Sequence, residues 1–210
     1  MADLRIEEYN VGDIGTNCYF IVNADTKEMV IIDPGGDGAD LIRRIKERGL
    51  KLQAVLLTHG HYDHAHHARM VADAFGVSVY ASEKEKDTMH DIQKNVSAMF
   101  GNPEIYDADV YTKDGDVLEL AGFRIKVIST PGHTEGGCCY YFDGNKVLAS
   151  GDTLFCGSVG RTDFKGGSMS ALVRSVKEKL FALPNDTAVL PGHEARTTIG
   201  YEKQYNMYLA

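Results

Sequence analysis

The 210-residue chain lacks the features that would take it outside ordinary globular proteins. No apolar run approaches the ~20 residues that a membrane span needs. The N-terminus, MADLRIEEYN, has neither the basic n-region nor the apolar h-region of a signal peptide. Cysteine is scarce: Cys18, Cys138, Cys139 and Cys156 are all there is, and no two make a CxxC pair. Without an export signal, four free thiols in a reducing cytoplasm are expected. Basic excess is missing too. Lys and Arg total 22 against 30 Asp and Glu, a formal charge of −8, which excludes a general attraction to nucleic acid or anionic membranes and reads as solubility. There is no low-complexity tract, no Pro/Gly/Ser-rich linker and no solenoid repeat. One domain spanning 1–210 is the simplest expectation.

What is present is a succession of short strands and helices. Leu4–Val11, Asn17–Asn23 and Met29–Asp33 are β-branched or aromatic runs separated by Gly, Asn and Asp. Asp33-Pro34-Gly35-Gly36 breaks the pattern. Leu41, Ile42 and Ile45 then fall at helical spacing, and Gln53–Leu57 reads as a strand. A helix of about ten residues carries Ala68, Val71, Ala72 and Phe75 on one face, and Gly76 stops it. Val77–Tyr80 is a strand, and Ser82–Phe100 is expected to be helical, with Glu83–Asp87 as a solvated face. A second run of strands follows: Val110–Thr112, Val117–Leu120, Phe123–Ser129, Cys138–Phe142 and Lys146–Ala149. Asp143-Gly144 marks a tight turn. Met169, Leu172, Val173, Val176 and Leu180 describe an amphipathic helix, and Thr187–Leu190 a last short strand. A terminal helix is expected around Gly200–Leu209. Two similar halves of this kind favour an α/β fold of two sheets packed face to face with helices outside.

The strongest chemical signal is Thr58-His59-Gly60-His61-Tyr62-Asp63-His64, directly after an apolar strand. A strand end is a rigid platform, and the turn beyond it can aim several side chains at one point. His59 and His61 can share one metal, with Asp63 and His64 turned toward a second. The same local grammar recurs at His133 in Thr130-Pro131-Gly132-His133, at Asp152 in Ser150-Gly151-Asp152, and at His193 in Pro191-Gly192-His193. Each is a strand, a small residue, then a ligand-type side chain. Five histidines and two aspartates suit zinc, and would also accept iron or manganese. A closed structural zinc site uses four ligands, so seven fit two ions better, an arrangement that acidifies a water and points it at an electrophile. His66, His67 and His90 have helical or polar surroundings and are expected to be surface side chains. Cys156 is expected to be a buried, inert thiol, and Tyr62 to line the cleft.

The THGHYDH segment with His133, Asp152 and His193 downstream resembles the metallo-β-lactamase superfamily over nearly the whole chain. Ser150-Gly151-Asp152-Thr153-Leu154-Phe155, Gly160-Arg161 and Pro191-Gly192-His193-Glu194 resemble its glyoxalase II group, the hydroxyacylglutathione hydrolases. The resemblance implies a four-layer αββα sandwich with the metals at one edge. It implies that His59, His61 and His133 hold the first of two zinc ions, that Asp63, His64 and His193 hold the second, and that Asp152 bridges them. It implies that Asp63 also orients the attacking water, and that Arg161 contacts the thiol-carrier part of the substrate. Two departures stand out. The group offers a tyrosine two places beyond that basic residue, where this chain has Asp163. Seventeen residues (194–210) follow His193, room for one helix where the longer enzymes complete a glutathione site.

The resulting expectation is a cytoplasmic binuclear hydrolase of a small-molecule thioester or ester, such as S-lactoylglutathione or a related acyl thiol. Persulfide dioxygenases, which also show a Gly-Arg-Thr-Asp segment like Gly160–Asp163, give a competing expectation of one iron on His59, His133 and Asp152. A metal-binding module without catalysis is a third. Asp33, in its Asp-Pro-Gly turn, is either a plain turn residue or the group that orients a histidine ligand.

Overall fold

The computed structural model describes residues 2–209. Strands β1 (Leu4–Val11), β2 (Thr16–Asn23), β3 (Glu28–Ile32), β4 (Lys51–Leu56), β5 (Ser78–Ser82) and β6 (Val110–Thr112) form a six-stranded sheet in that order. The first three are joined antiparallel and the rest parallel. Strands β7 (Val117–Leu120), β8 (Phe123–Ser129), β9 (Cys138–Phe142) and β10 (Val147–Gly151) begin the second sheet. After a small hairpin, β11 (Leu154–Phe155) and β12 (Ser158–Val159), strands β13 (Ala188–Pro191) and β14 (Thr197–Thr198) complete it, in the order β14-β13-β10-β9-β8-β7. The short β11, β12 and β14 carry too little pattern to be read from sequence.

The period-2 rule assigns the layers. In β2 every residue is buried. Tyr19 and Ile21 face inward, where they meet Phe123, Ile125, Tyr140 and Phe142 of the second sheet. Phe20 and Val22 face outward, under Leu41 and Ile45 of helix α1 (Gly38–Glu47). A four-residue turn of helix, α2 (Tyr62–Ala65), precedes α3 (Ala68–Phe75), whose Val71 and Ala72 join the same outer cluster. A further short helix, α4 (Lys86–Met89), lies after β5. On the other side Leu172 and Val176 of α5 (Met169–Glu178) cover Cys139, Tyr141, Leu148 and Val189. Each such side chain adds about 1.5–3 kcal/mol on burial, so a strand buried on both faces is strongly held in register. The result is a four-layer αββα sandwich. Ser168 caps α5 by accepting from the Ala171 amide, and Thr198 caps α6 (Ile199–Tyr205) by accepting from the Tyr201 amide. No helix among the described residues is long and apolar enough to cross a membrane. The four cysteines are unpaired.

The expected helix over Ser82–Phe100 is broken. A 3₁₀ turn at Glu83–Glu85 runs into α4, and a second 3₁₀ turn at Ser97–Phe100 follows an irregular stretch. The Asn95 amide group donates to the Met89 and Glu104 carbonyls, and Val96 adopts a left-handed φ of 60°. Side chains that bond the backbone in this way offer it an alternative to the helix. Within Glu83–Asp87 the solvated face holds for Glu83, Lys84, Lys86 and Asp87, which are exposed, but Glu85 is fully buried. Cys156 is only partly buried rather than sealed in the core.

Candidate metal centre

The segments beyond β4, β8, β10 and β13 converge at one edge of the sandwich. His61 precedes α2 at the helix N-terminus without capping it, which leaves its ring for other contacts. The ring nitrogens of His59, His61 and His133 lie within 4.8 Å of one another. His61 Nδ1 and His133 Nε2 face each other at 2.9 Å. Ligand atoms of Asp63, His64 and His193 form a second group of the same dimension, with His193 Nε2 3.2 Å from Asp63 Oδ2. Asp152 sits between the two groups. Its Oδ1 is 3.4 Å from His64 Nε2, and its Oδ2 is 3.5 Å from His133 Nε2 and 3.6 Å from His193 Nε2. All seven residues singled out in sequence therefore meet, and each group can hold a metal ion. His66, His67 and His90 are outside these groups.

The rings are aimed by their other nitrogens. His64 Nδ1 is 2.9 Å from Asp33 Oδ2, His133 Nδ1 donates to the Arg161 carbonyl at 2.7 Å, and His59 Nδ1 is 3.1 Å from Thr58 Oγ1. These contacts leave the Nε2 atoms of His59, His64 and His133 pointing inward. Asp33 is thus more than a turn residue. It also accepts from the Thr58 amide and hydroxyl, and it holds a left-handed φ of 51°. Close approach at this edge requires glycine. A Cβ on Gly192 would fall 2.2 Å from Asp152 Oδ1, and one on Gly35 would fall 1.6 Å from the Asp63 carbonyl oxygen.

The electrostatics divide the histidines. Burial lowers the pKa of His59 and takes His61 down to about 3, which keeps both imidazoles neutral. Burial also opposes charge on His64, but Asp63, Asp152 and Asp33 outweigh it and raise its pKa. His193 is raised against its burial by the hydrogen bond with Asp63 and by Asp152. The two aspartates move the other way. Burial would raise them, yet His64 and His193 hold both well below the usual carboxylate range.

Three buried atoms have no hydrogen-bond partner within this cluster: His59 Nε2, His64 Nε2 and Asp152 Oδ1. Orphaned buried polar atoms are rare and cost about 1–3 kcal/mol each, so three around one point mark a place built for something else. Imidazole and carboxylate donors at this spacing fit divalent zinc, iron or manganese. Burial is uneven: His59, His61, His64 and His133 are at most 4% exposed, whereas the His193 side chain is 22% exposed. The cluster opens there into a cleft of about 400 Å³ that Ile14, Phe100, Phe155, Arg161 and Phe164 help to line.

Sequence reasoning missed several supports. The Thr16 hydroxyl donates to Asp63 Oδ2 at 2.8 Å. The Asn17 amide group donates to the carbonyls of Pro191 and Glu194 and so holds the His193 loop. Glu85 accepts from the Gly60 amide and the Thr134 hydroxyl, which ties the His59–His61 loop to the His133 loop. Thr58 could have been suspected from its place in the motif, but Glu85 and Asn17 carry no local signal. Tyr62 does not line this cleft as expected: it stacks on His66 and on Phe100 and lines a neighbouring cavity of about 270 Å³.

A four-layer sandwich with clustered His and Asp donors on one edge defines a metallohydrolase-type site. The chain belongs to the metallo-β-lactamase superfamily, whose pattern matches residues 11–193. It is 38% identical over 210 residues to the hydroxyacylglutathione hydrolase GloC of Haemophilus influenzae, covering 98% of each chain. Among solved structures it is similar to the BLEG-1 B3 metallo-β-lactamase, with a TM-score of 0.92, 39% identity and coverage of 98% of this chain and 100% of that one. It is also similar to the di-iron-bound form of TTHA1623, with a TM-score of 0.85, 31% identity and coverage of 97% and 100%.

Proposed function

We propose that this chain is a two-metal hydrolase of small-molecule thioesters, with His59, His61 and His133 holding one ion, Asp63, His64 and His193 the other, and Asp152 shared. The observation that carries this reading is the shared position of Asp152 between two complete donor groups, one of its oxygens unpaired. The di-iron centre of TTHA1623 supports the metal count, and GloC, which this chain matches end to end, supports the thioester substrate. Bound ions would supply a water acidic enough to be hydroxide near neutral pH and a positive charge beside the substrate carbonyl. The chain's own contribution is positional. Asp63, fixed by Thr16, presents an acceptor at the open side of the cluster that can orient an attacking water. Phe155 and Phe164 border the approach with apolar surface, which strengthens charge interactions inside. A thiolate leaves readily, so no dedicated general acid is required.

The test is incubation of zinc-, iron- and manganese-loaded protein with S-lactoylglutathione, with His61→Ala as the control for contaminating hydrolase. Mutation-sensitive loss of the thioester in protein carrying two ions per chain is the expected result. One iron per chain, with dioxygen consumed as a persulfide is oxidised, would instead establish the dioxygenase reading. That reading uses only His59, His133 and Asp152 and leaves His61, Asp63, His64 and His193 without a role.

A further inference from the structure

The cleft beside the cluster is mostly apolar. Ile14, Val96, Phe100, Phe155, Val159 and Phe164 all line it. Arg161 is the one Lys or Arg among the described residues that does so. Its guanidinium is already engaged. Nε and Nη2 each donate to Asp163 at 2.7 Å, one to each carboxylate oxygen, and the group lies 4.2 Å over the Phe164 ring. The hydrogen bonds from Arg161 hold the Asp163 carboxyl down at about 2, so the pair stays ionised across the working range of pH. Cations on the flanking segments are similarly committed: Lys94 to Glu135 at 2.7 Å, Lys165 to Asp91 at 3.0 Å, and Arg196 to Glu8 at 2.7 Å. Glu194 adds a further carboxylate to the lining. A substrate body entering here meets apolar surface and no uncommitted positive charge.

We infer that the cleft selects thioesters with an uncharged, apolar body over those on an anionic carrier such as glutathione, and that Asp163 sets this preference by occupying the fork of Arg161. The inference rests on the thioester reading above. Asp163 takes the Nε–Nη2 edge of the guanidinium and neutralises its charge, so a substrate carboxylate is left the Nη1 side of a cation that is already paired. An exposed pair of this kind is weak and screened by salt, so the effect is a bias in substrate binding rather than an absolute gate. Asp163 touches neither the cluster nor the scissile bond. It acts through Arg161 and should alter KM while leaving kcat nearly constant.

The experiment compares S-hexanoyl-N-acetylcysteamine with S-hexanoylglutathione, which share the acyl group and differ in carrier charge. Wild type is expected to show the higher kcat/KM on the neutral ester. Asp163→Asn should raise kcat/KM on the glutathione ester by about three- to tenfold through KM, as expected for one exposed charge, with little change on the neutral ester. Binding of the uncleavable S-hexylglutathione, read by calorimetry, should tighten in Asp163→Asn and weaken again with added salt. A wild-type preference for the glutathione ester, or equal carrier selectivity in both proteins, overturns the inference while leaving thioester hydrolysis standing. No turnover of either ester by protein shown to carry metal removes the thioester reading, and unchanged S-hexylglutathione binding in Asp163→Asn then removes the role of Asp163 independently.

Discussion

Asp33 Oδ2 lies 2.9 Å from His64 Nδ1 and also accepts from the Thr58 hydroxyl, so one buried carboxylate fixes both the strand end that leads to His59 and the ring at the middle of the cluster. Removing it should disturb the metals before it disturbs the fold. Asparagine tolerates the left-handed backbone that Asp33 adopts, so Asp33→Asn keeps the turn and loses the charge. Metal affinity is expected to fall about 10- to 100-fold, read by competition with a chromophoric chelator, while circular dichroism stays native. Unchanged affinity would return Asp33 to a turn role.

The two donor groups can be separated by mutation. His61→Ala removes a nitrogen from the His59 group, and His193→Ala removes one from the Asp63 group. Each variant should retain one ion in the untouched group and lose hydrolysis by at least about 100-fold, the scale of removing a group that acts only in the transition state. Metal analysis of the purified variants checks the stoichiometry. Two ions retained in either variant would show that the ligand assignment is wrong.

Metal loading should weaken as the solution becomes acidic. His64 and His193 have raised pKa values, held up by Asp63 and Asp152 against their burial. A proton on either nitrogen competes directly with a cation. Loading is therefore expected to be complete above the raised values and to fall as pH drops through them, with protons released on binding. Calorimetric titration in buffers of different ionisation enthalpy counts those protons, and a count of zero would contradict the assignment.

Glu85 gives a stability prediction with a definite sign. Burial raises its pKa from 4.5 to about 7, although the Gly60 amide and Thr134 hydroxyl partly offset that. The folded chain therefore holds a proton that the unfolded chain releases between these values. Stability from this group is full below pH 4.5 and is lost as pH rises through about 7, by an amount on the order of 3 kcal/mol. Glu85→Gln cannot titrate. Urea unfolding of the metal-free proteins from pH 4.5 to 8 should move the difference in the variant's favour as pH rises, and a pH-independent difference would exclude the ionisation.

Asn17 tests how the second sheet's loop is held. Its side chain donates to the Pro191 and Glu194 carbonyls, and its amide donates to the Gly192 carbonyl. Asn17→Ala leaves the Glu194 carbonyl without its side-chain donor, while the Pro191 carbonyl keeps the Tyr19 hydroxyl, and should cost about 1–2 kcal/mol. Differential scanning calorimetry should show a lower Tm, and the ion of the His193 group should be lost first on dialysis against chelator. A native Tm with normal metal retention would mean that the loop holds itself.

The sequence by itself determined the layers and the donors. The alternation of β2 side chains between two buried faces and the helical spacing of Leu172 and Val176 are local consequences of how side chains project from a strand and a helix. Strand, small residue, ligand is equally local, and that grammar is why all seven residues could be named and why the structure brings them together. Tertiary structure decided what stands behind them. Glu85 lies in a stretch that reads as a solvated helix, yet it ends fully buried between two ligand-bearing loops, because the Gly60 amide and the Thr134 hydroxyl there need an acceptor. Asn17 reads as the edge of a strand, and nothing near it in sequence foretells Glu194 as its partner. The Arg161 backbone carbonyl orients His133 through an atom every residue type possesses, so its side chain carries no trace of that role. Hydrogen bonds between segments far apart in sequence depend on the packing of the two sheets, and only the folded chain sets that distance.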